Sequence, residues 1–152
     1  MLQFNTAEIS LLLQQKLSLT SVHTASLPAV SREAVFIQPA EQLQTFNFLF
    51  YETSLRFDQL HNMMLIFEPG EFANKYWMQF QLGSRYYNNL LDVCIPFTKH
   101  ELGLYSVRHL YINAAKFEKW MSDIHGIEFL QRSTPVKRIS EKVKSLLMLL
   151  PI

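Results

Sequence analysis

The segment KYWMQFQLG at positions 75–83 has a strict alternation of side chains. In an extended chain, four apolar side chains would point to one side: Tyr76, Met78, Phe80 and Leu82. The intervening residues would point to the other side: Trp77, Gln79 and Gln81. A period of two is typical of a half-buried antiparallel strand. The segment therefore predicts a sheet that buries one face, and something must pack on that face.

Other segments supply the remaining elements of such a fold. A first helix is predicted after Asn5, with Glu8 at capping-box spacing. Strands are predicted at 33–38, 45–52, 63–72 and 127–131. A loop is predicted at 21–31 and a helix at 84–94. The segment 52–62 fits either a strand or a short helix. Asn113 and Gly126 bracket a further helix as cap and left-handed stop.

This order favours an α+β fold in which residues 1–152 form a single domain. We expect a small antiparallel sheet with helices packed on it, an N-terminal helix and two C-terminal helices. The arrangement resembles that of small bacterial secretion chaperones, which mix helices with a small sheet and dimerise. No motif in this chain carries residues over from those proteins.

Composition argues for a packed core and for either large exposed apolar patches or a partner that covers them. Hydrophobic residues make up 49% of the chain, charged residues only 18%, and the net charge is +1. The single cysteine, Cys94, has apolar neighbours and excludes an intrachain disulfide, so we expect it to be buried and unreactive. No apolar run is long enough to span a bilayer, and we expect a cytoplasmic protein.

The sequence lacks the common catalytic and nucleotide-binding motifs. The four glycines are scattered, and neither a phosphate-binding loop, a nucleophile elbow nor a zinc helix is present. The nearest polar cluster is Asp123, His125 and Glu128, which a helix C-terminus explains better than a metal or catalytic site. A pairing of Cys94 with His100 has no supporting spacing. We therefore expect no catalytic residue, no metal and no cofactor.

The closing segment changes character along its length. Thr134 and Pro135 open a predicted helix whose apolar residues recur every three or four positions: Val136, Ile139, Val143, Leu146, Leu147 and Leu150. The opposite side is charged up to Ser145 and then becomes Met148 and Leu149. A turn that is apolar all round must be covered, either by the body of the domain or by a second chain.

Two functional hypotheses follow, with an unrecognised enzyme as a third. The first is a non-catalytic module of the chaperone, inhibitor, immunity or assembly-subunit type that binds another protein. Under this hypothesis the chain could also form a homodimer. Its expected partner-binding residues are Trp77, Leu146, Met148, Leu149 and Leu150. The second is a nucleic-acid-associated regulator that uses the basic side of the closing helix, namely Lys137, Arg138, Lys142 and Lys144.

Overall fold

The computed structural model describes residues 4–19, 22–26, 33–67, 75–98 and 104–130. Its helices are α1 (Thr6–Leu17), α2 (Gln42–Tyr51) and α3 (Ala114–His125), with a 3-10 turn at Pro39–Glu41. Its strands are β1 (His23–Ser26), β2 (Glu33–Phe36), β3 (Gln59–Phe67), β4 (Lys75–Ser84) and β5 (Asn89–Thr98). The predicted α+β fold is confirmed, and the alternating segment 76–82 lies within β4.

The five strands form one sheet in the order β1-β2-β5-β4-β3. β3, β4 and β5 form a long antiparallel meander, and β1 pairs antiparallel with β2. β2 runs parallel to β5, so the sheet is mixed rather than wholly antiparallel. β5 is the central strand, and this parallel pair joins the β1-β2 hairpin at one edge of the sheet to the β3-β4-β5 meander.

The three helices pack on one face of the sheet, called here the core face. Apolar side chains of β4 and β5 on this face meet apolar side chains of the helices: Met78, Phe80, Leu82, Val93 and Ile95 from the strands, and Ile9, Leu13, Phe46, Leu49 and Met121 from the helices. All of these are at most 2% exposed. The alternation in β4 therefore points its apolar residues into the core, as the period of two requires.

Local capping signals explain where α1 and α3 begin and end. The Asn5 side chain accepts the Glu8 N–H at 2.8 Å, and Glu8 accepts the Asn5 N–H at 3.0 Å, which completes the predicted capping box. Gly126 ends α3 in the left-handed conformation, as predicted. Asn113 precedes α3 but makes no cap bond; its side-chain amide donates instead to the Leu60 carbonyl at 2.8 Å.

Several sequence-based assignments were wrong. The alternation of Phe46, Phe48 and Phe50 suggested a strand at 45–52, but these residues belong to α2, which ends at Tyr51. The helix forms because Phe46 and Leu49, three residues apart, both pack into the core. Residues 84–94 comprise the last residue of β4, a tight turn and the start of β5, rather than a helix.

The remaining differences are smaller. The predicted loop contains the short strand β1, and the uncertain segment 52–62 contains a turn followed by the start of β3. The described part of the predicted strand 127–131 makes only a single bridge, from Leu130 to Tyr105. Over the described residues, none of the helices has the length and apolar character needed to cross a membrane.

Candidate protein-binding surfaces

The sheet has a second face, opposite the helices, that the register defines. Residues directly across from each other on neighbouring strands share a face, and the pairs Trp77–Pro96, Gln79–Cys94 and Gln81–Asp92 lie on this one. The second face includes His23, Ala25, Ala34, Phe36, Asn62, Met64, Ile66, Trp77, Gln79, Gln81, Asp92, Cys94 and Pro96. It is apolar at one end and polar in the middle.

Trp77, the one predicted partner-binding residue within the described chain, lies at the apolar end. Its ring packs edge-on against Phe36 with centroids 5.0 Å apart, and His23 stacks on the same Phe36 ring at 5.3 Å. Ile66 lies directly opposite Trp77 on β3. Trp77 is half-buried, so the structure places it in an aromatic cluster on the second face rather than alone on the surface.

Gln79 is the unusual residue of the second face. Its side chain is 1% exposed, and neither its amide nitrogen nor its amide oxygen has a hydrogen-bond partner. A buried polar group without a partner costs about 1–3 kcal/mol, and such groups are rare in native proteins. The amide nitrogen and oxygen of Gln79 would therefore be satisfied only by a group on this face that both accepts and donates hydrogen bonds.

Cys94 lies beside Gln79 and is fully buried, as predicted. Burial, with a smaller contribution from the negative charge of Asp92, raises the pKa of the Cys94 thiol to about 12. A thiol with this pKa carries almost no thiolate at neutral pH, and the thiolate is the nucleophilic form. The geometry gives Cys94 a packing role.

A second surface lies at the opposite end of the sheet, where the loop after α2 meets the turn between β4 and β5. We call it the tyrosine–arginine corner: Arg56, Tyr86 and Tyr87, with Tyr51 preceding the loop in the chain. The Arg56 guanidinium lies 4.6 Å from the centre of the Tyr86 ring, and Tyr87 packs edge-on against Tyr86 at 4.8 Å. Tyr87 also donates its hydroxyl to the Thr53 carbonyl at 2.7 Å, which ties the loop to the turn.

The corner is exposed yet ordered. Tyr51 and Tyr86 are 67% and 61% exposed. Arg56 has a positive φ of 45°, a conformation uncommon outside glycine, asparagine and aspartate. Arg85 donates its backbone N–H to Asp58 at 3.2 Å, which adds a further link between turn and loop. Sequence reasoning missed this surface because Arg56 and Tyr86 meet only through the fold.

A third apolar patch lies on the outer side of α3. Trp120 and Ile124 are both about half exposed, and Trp120 packs edge-on against His125 with centroids 6.1 Å apart. Ile112, just before the helix, is 92% exposed. The inner side of the same helix buries Met121, so α3 is apolar on both sides.

The predicted polar cluster at the end of α3 is dispersed in space. Asp123 pairs with Lys119 at 2.9 Å one turn earlier, with both side chains largely exposed. His125 packs on Trp120, and Glu128 is exposed beyond the helix. Within the described ranges, no group of three or more His, Cys, Asp or Glu side chains is placed to hold a metal ion.

Sequence reasoning also missed a buried carboxylate. Glu118 accepts the Ser106 hydroxyl at 2.7 Å and the Val107 N–H at 2.9 Å, and the Arg108 guanidinium lies 3.4 Å away. Burial raises the pKa of Glu118, while these three neighbours act in the opposite direction. Both carboxylate oxygens are occupied, so Glu118 fastens the segment before α3 to the helix itself.

The other predicted site residues lie outside the described residues. They are the partner-binding residues Leu146, Met148, Leu149 and Leu150, the basic residues Lys137, Arg138, Lys142 and Lys144, and His100.

Comparison with known proteins informs the fold. No protein-family model and no curated protein matches this chain. Among solved structures, the chain is similar to Nqo5 of the trypsin-resistant fragment (1-134) in P63 form, with a TM-score of 0.58 and 14% sequence identity. The match covers 71% of this chain and 85% of that one. The two chains share a fold, and identity at this level carries no residue roles across.

Proposed function

We propose that this chain is a non-catalytic module that binds another protein, and that the tyrosine–arginine corner is its contact surface. The observation that carries the proposal is the exposed stack of Arg56 on Tyr86, with Tyr51 at the start of the same loop. Tyrosine, tryptophan and arginine dominate the energetically important positions of protein interfaces.

The order of the corner supports a binding role. Two exposed tyrosines would be unremarkable if each moved freely, but hydrogen bonds from Tyr87 and Arg85 hold the turn and the loop together. A contact surface that is ordered beforehand loses less conformational entropy when a partner binds. The corner thus combines large contact area with a small cost of ordering.

The reactive groups of the described chain favour a non-catalytic role. Cys94 is buried as the neutral thiol, and both oxygens of Glu118 accept hydrogen bonds within the fold. Asp123 is paired at the surface with Lys119. A buried, unpaired cysteine also suits a reducing compartment, and we propose the cytoplasm as the site of action.

The test is quantitative affinity capture from the native host with three versions of the chain. Arg56→Ala combined with Tyr86→Ala should weaken recovery of a specific protein more than tenfold, because interface hot spots each contribute about 2 kcal/mol or more. Gln15→Ala combined with Lys16→Ala is the matched control, since both residues are exposed on α1. Melting temperatures should remain alike in all three.

Two results would count against the proposal. One is that the same proteins are recovered equally with the corner variant and the control. The other is that the wild type recovers no specific protein. Sedimentation at several concentrations should accompany the capture, because a second copy of the chain could be the protein bound.

A further inference from the structure

We propose that the outer side of α3 is a self-association surface, on which α3 of a second copy of this chain packs antiparallel about a two-fold axis near Trp120. The inference does not depend on the proposed function, because none of the residues of the tyrosine–arginine corner takes part in it. The apolar patch on α3 and the order of the charges along that helix both support it.

Exposed apolar surface is concentrated on α3 and just before it. Ile112, Trp120 and Ile124 are 92%, 52% and 56% exposed. Trp120 and Ile124 are four residues apart, so they lie on the same side of the helix. Ala114 and Met121 fix the inner side of α3 in the core. The outer side chains are therefore held in position before a partner arrives, and tryptophan is the residue type most enriched at the centres of interfaces.

The charges of α3 run against its helix dipole. Lys116 lies in the first turn and Asp123 in the last turn, whereas the N-terminal end of a helix favours acidic side chains and the C-terminal end basic ones. Asp123 is paired at 2.9 Å with Lys119. In that pair the lysine precedes the acid, which is the less favourable order for residues four apart. Within one copy, this arrangement gains little from electrostatics.

An antiparallel second copy makes the same charges favourable. Two helices related by a two-fold axis run in opposite directions, so Lys116 of one copy lies opposite Asp123 of the other, and symmetry repeats the pair. Each lysine then lies beside the negative end of the neighbouring helix, and each aspartate beside the positive end. Trp120 lies near the axis, where two indole rings can pack together.

The size of the contact indicates a reversible dimer. Helix α3 has 12 residues, which corresponds to a length of about 18 Å at about 1.5 Å per residue. A contact made by a single pair of short helices is small beside the interfaces of permanent dimers. We therefore expect monomer and dimer to exchange, with the dimer populated as the protein concentration rises.

Sedimentation equilibrium of the full-length chain at several concentrations tests the apolar part of the surface. The wild type should dimerise with rising concentration. Trp120→Ala should raise the dissociation constant of the dimer about tenfold or more, because a central tryptophan is commonly among the strongest contacts of an interface. Leu11→Ala is the matched control, since Leu11 is 54% exposed on α1, and it should dimerise like the wild type.

A charge exchange tests the antiparallel arrangement. Lys116→Asp alone and Asp123→Lys alone should each weaken the dimer, because like charges then meet across the axis. Lys116→Asp should not lower the melting temperature, since the helix dipole favours an acid in the first turn. An equal mixture of the two variants should recover dimerisation close to that of the wild type, because every contact between positions 116 and 123 then joins a lysine with an aspartate.

Several outcomes would overturn the proposal. One is a wild type that stays monomeric at the highest concentration tested, and another is equal dimerisation of Trp120→Ala and Leu11→Ala. A mixture of the charge variants that associates no better than its components would contradict antiparallel pairing of α3, and this result decides if Trp120→Ala fails to fold. Dimerisation lost in Arg56→Ala with Tyr86→Ala but kept in Trp120→Ala would place the second copy on the tyrosine–arginine corner instead.

Discussion

Individual residues carry backbone and electrostatic constraints that can be tested one at a time. Gly126 adopts φ 71° and ψ 22° at the end of α3, and its N–H donates to the Ser122 carbonyl at 3.0 Å. Only the backbone conformation constrains this position, because nothing lies within 4 Å of where a Cβ would be.

Gly126→Ala should therefore lower the free energy of unfolding by about 1–2 kcal/mol, since a side chain in the left-handed region is strained. Gly126→Asn should cost less, because asparagine tolerates that region. Urea denaturation of both variants measures the difference. A neutral or stabilising Gly126→Ala would show that the strain is not carried by this residue.

The Cys94 thiol should make stability depend on alkaline pH. Burial raises its pKa from 9.0 to about 12 in the folded chain. The contribution of the protonated thiol to the free energy of unfolding is therefore full below pH 9. It is lost as the pH rises towards 12, because the thiol of the unfolded chain releases its proton at a lower pH.

Chemical denaturation from about pH 8 to about pH 11 should show that the stability of the wild type falls as the pH rises, with the Cys94 thiol contributing up to about 1.4 kcal/mol per pH unit to the slope. Cys94→Ala should have a smaller slope, since the other groups that titrate in this range are the same in both. Equal slopes in the two proteins would contradict a raised pKa for the buried Cys94 thiol.

At the scale of elements, Glu118 joins α3 to the segment that precedes it. Glu118→Ala would leave the Ser106 hydroxyl and the Val107 N–H buried without an acceptor. We expect a loss of about 2–6 kcal/mol in the free energy of unfolding, at about 1–3 kcal/mol for each of the two unmade bonds. Denaturant titration should report this loss at neutral pH.

Glu118→Gln is the matched variant, because its amide can keep one acceptor and add a donor. It should cost less than Glu118→Ala. Burial raises the pKa of Glu118, so its protonated form favours folding at acid pH and this contribution is lost as the pH rises through the folded pKa. The glutamine variant should lack that pH dependence; equal losses in the two variants would argue against the hydrogen-bonding role.

At the scale of the whole molecule, the helix layer and the sheet act as one unit. The rings of Phe46 in α2 and Phe80 in β4 meet with centroids 4.8 Å apart at an angle of 67°. Aromatic pairs in this geometry contribute about 0.5–1.5 kcal/mol beyond the area that they bury.

A double-mutant cycle tests this link. Phe46→Leu and Phe80→Leu should each cost about 1 kcal/mol, since the volume is nearly kept. The double variant should lose less than the sum of the two, by about 0.5–1.5 kcal/mol. Simple additivity in urea denaturation would show that the two layers do not interact through these rings.

Local signals in the sequence were sufficient for features that depend on neighbouring residues. The Asn5–Glu8 box, the left-handed stop at Gly126 and the alternation in β4 were all predicted correctly. Each is determined within one element, by side chains that contact the backbone beside them or by a simple period. The α+β class followed from the order of such elements.

Tertiary structure decided the features in which local signals conflict or distant residues meet. Phe46, Phe48 and Phe50 alternate like a strand, yet Phe46 and Leu49 also share a helical face, and packing against Phe80 favours the helix. Contacts such as those of Arg56 with Tyr86 and of Glu118 with Ser106 correspond to no local pattern in the sequence. Their physical reason is that burial and hydrogen bonding depend on which chain segments the fold brings together.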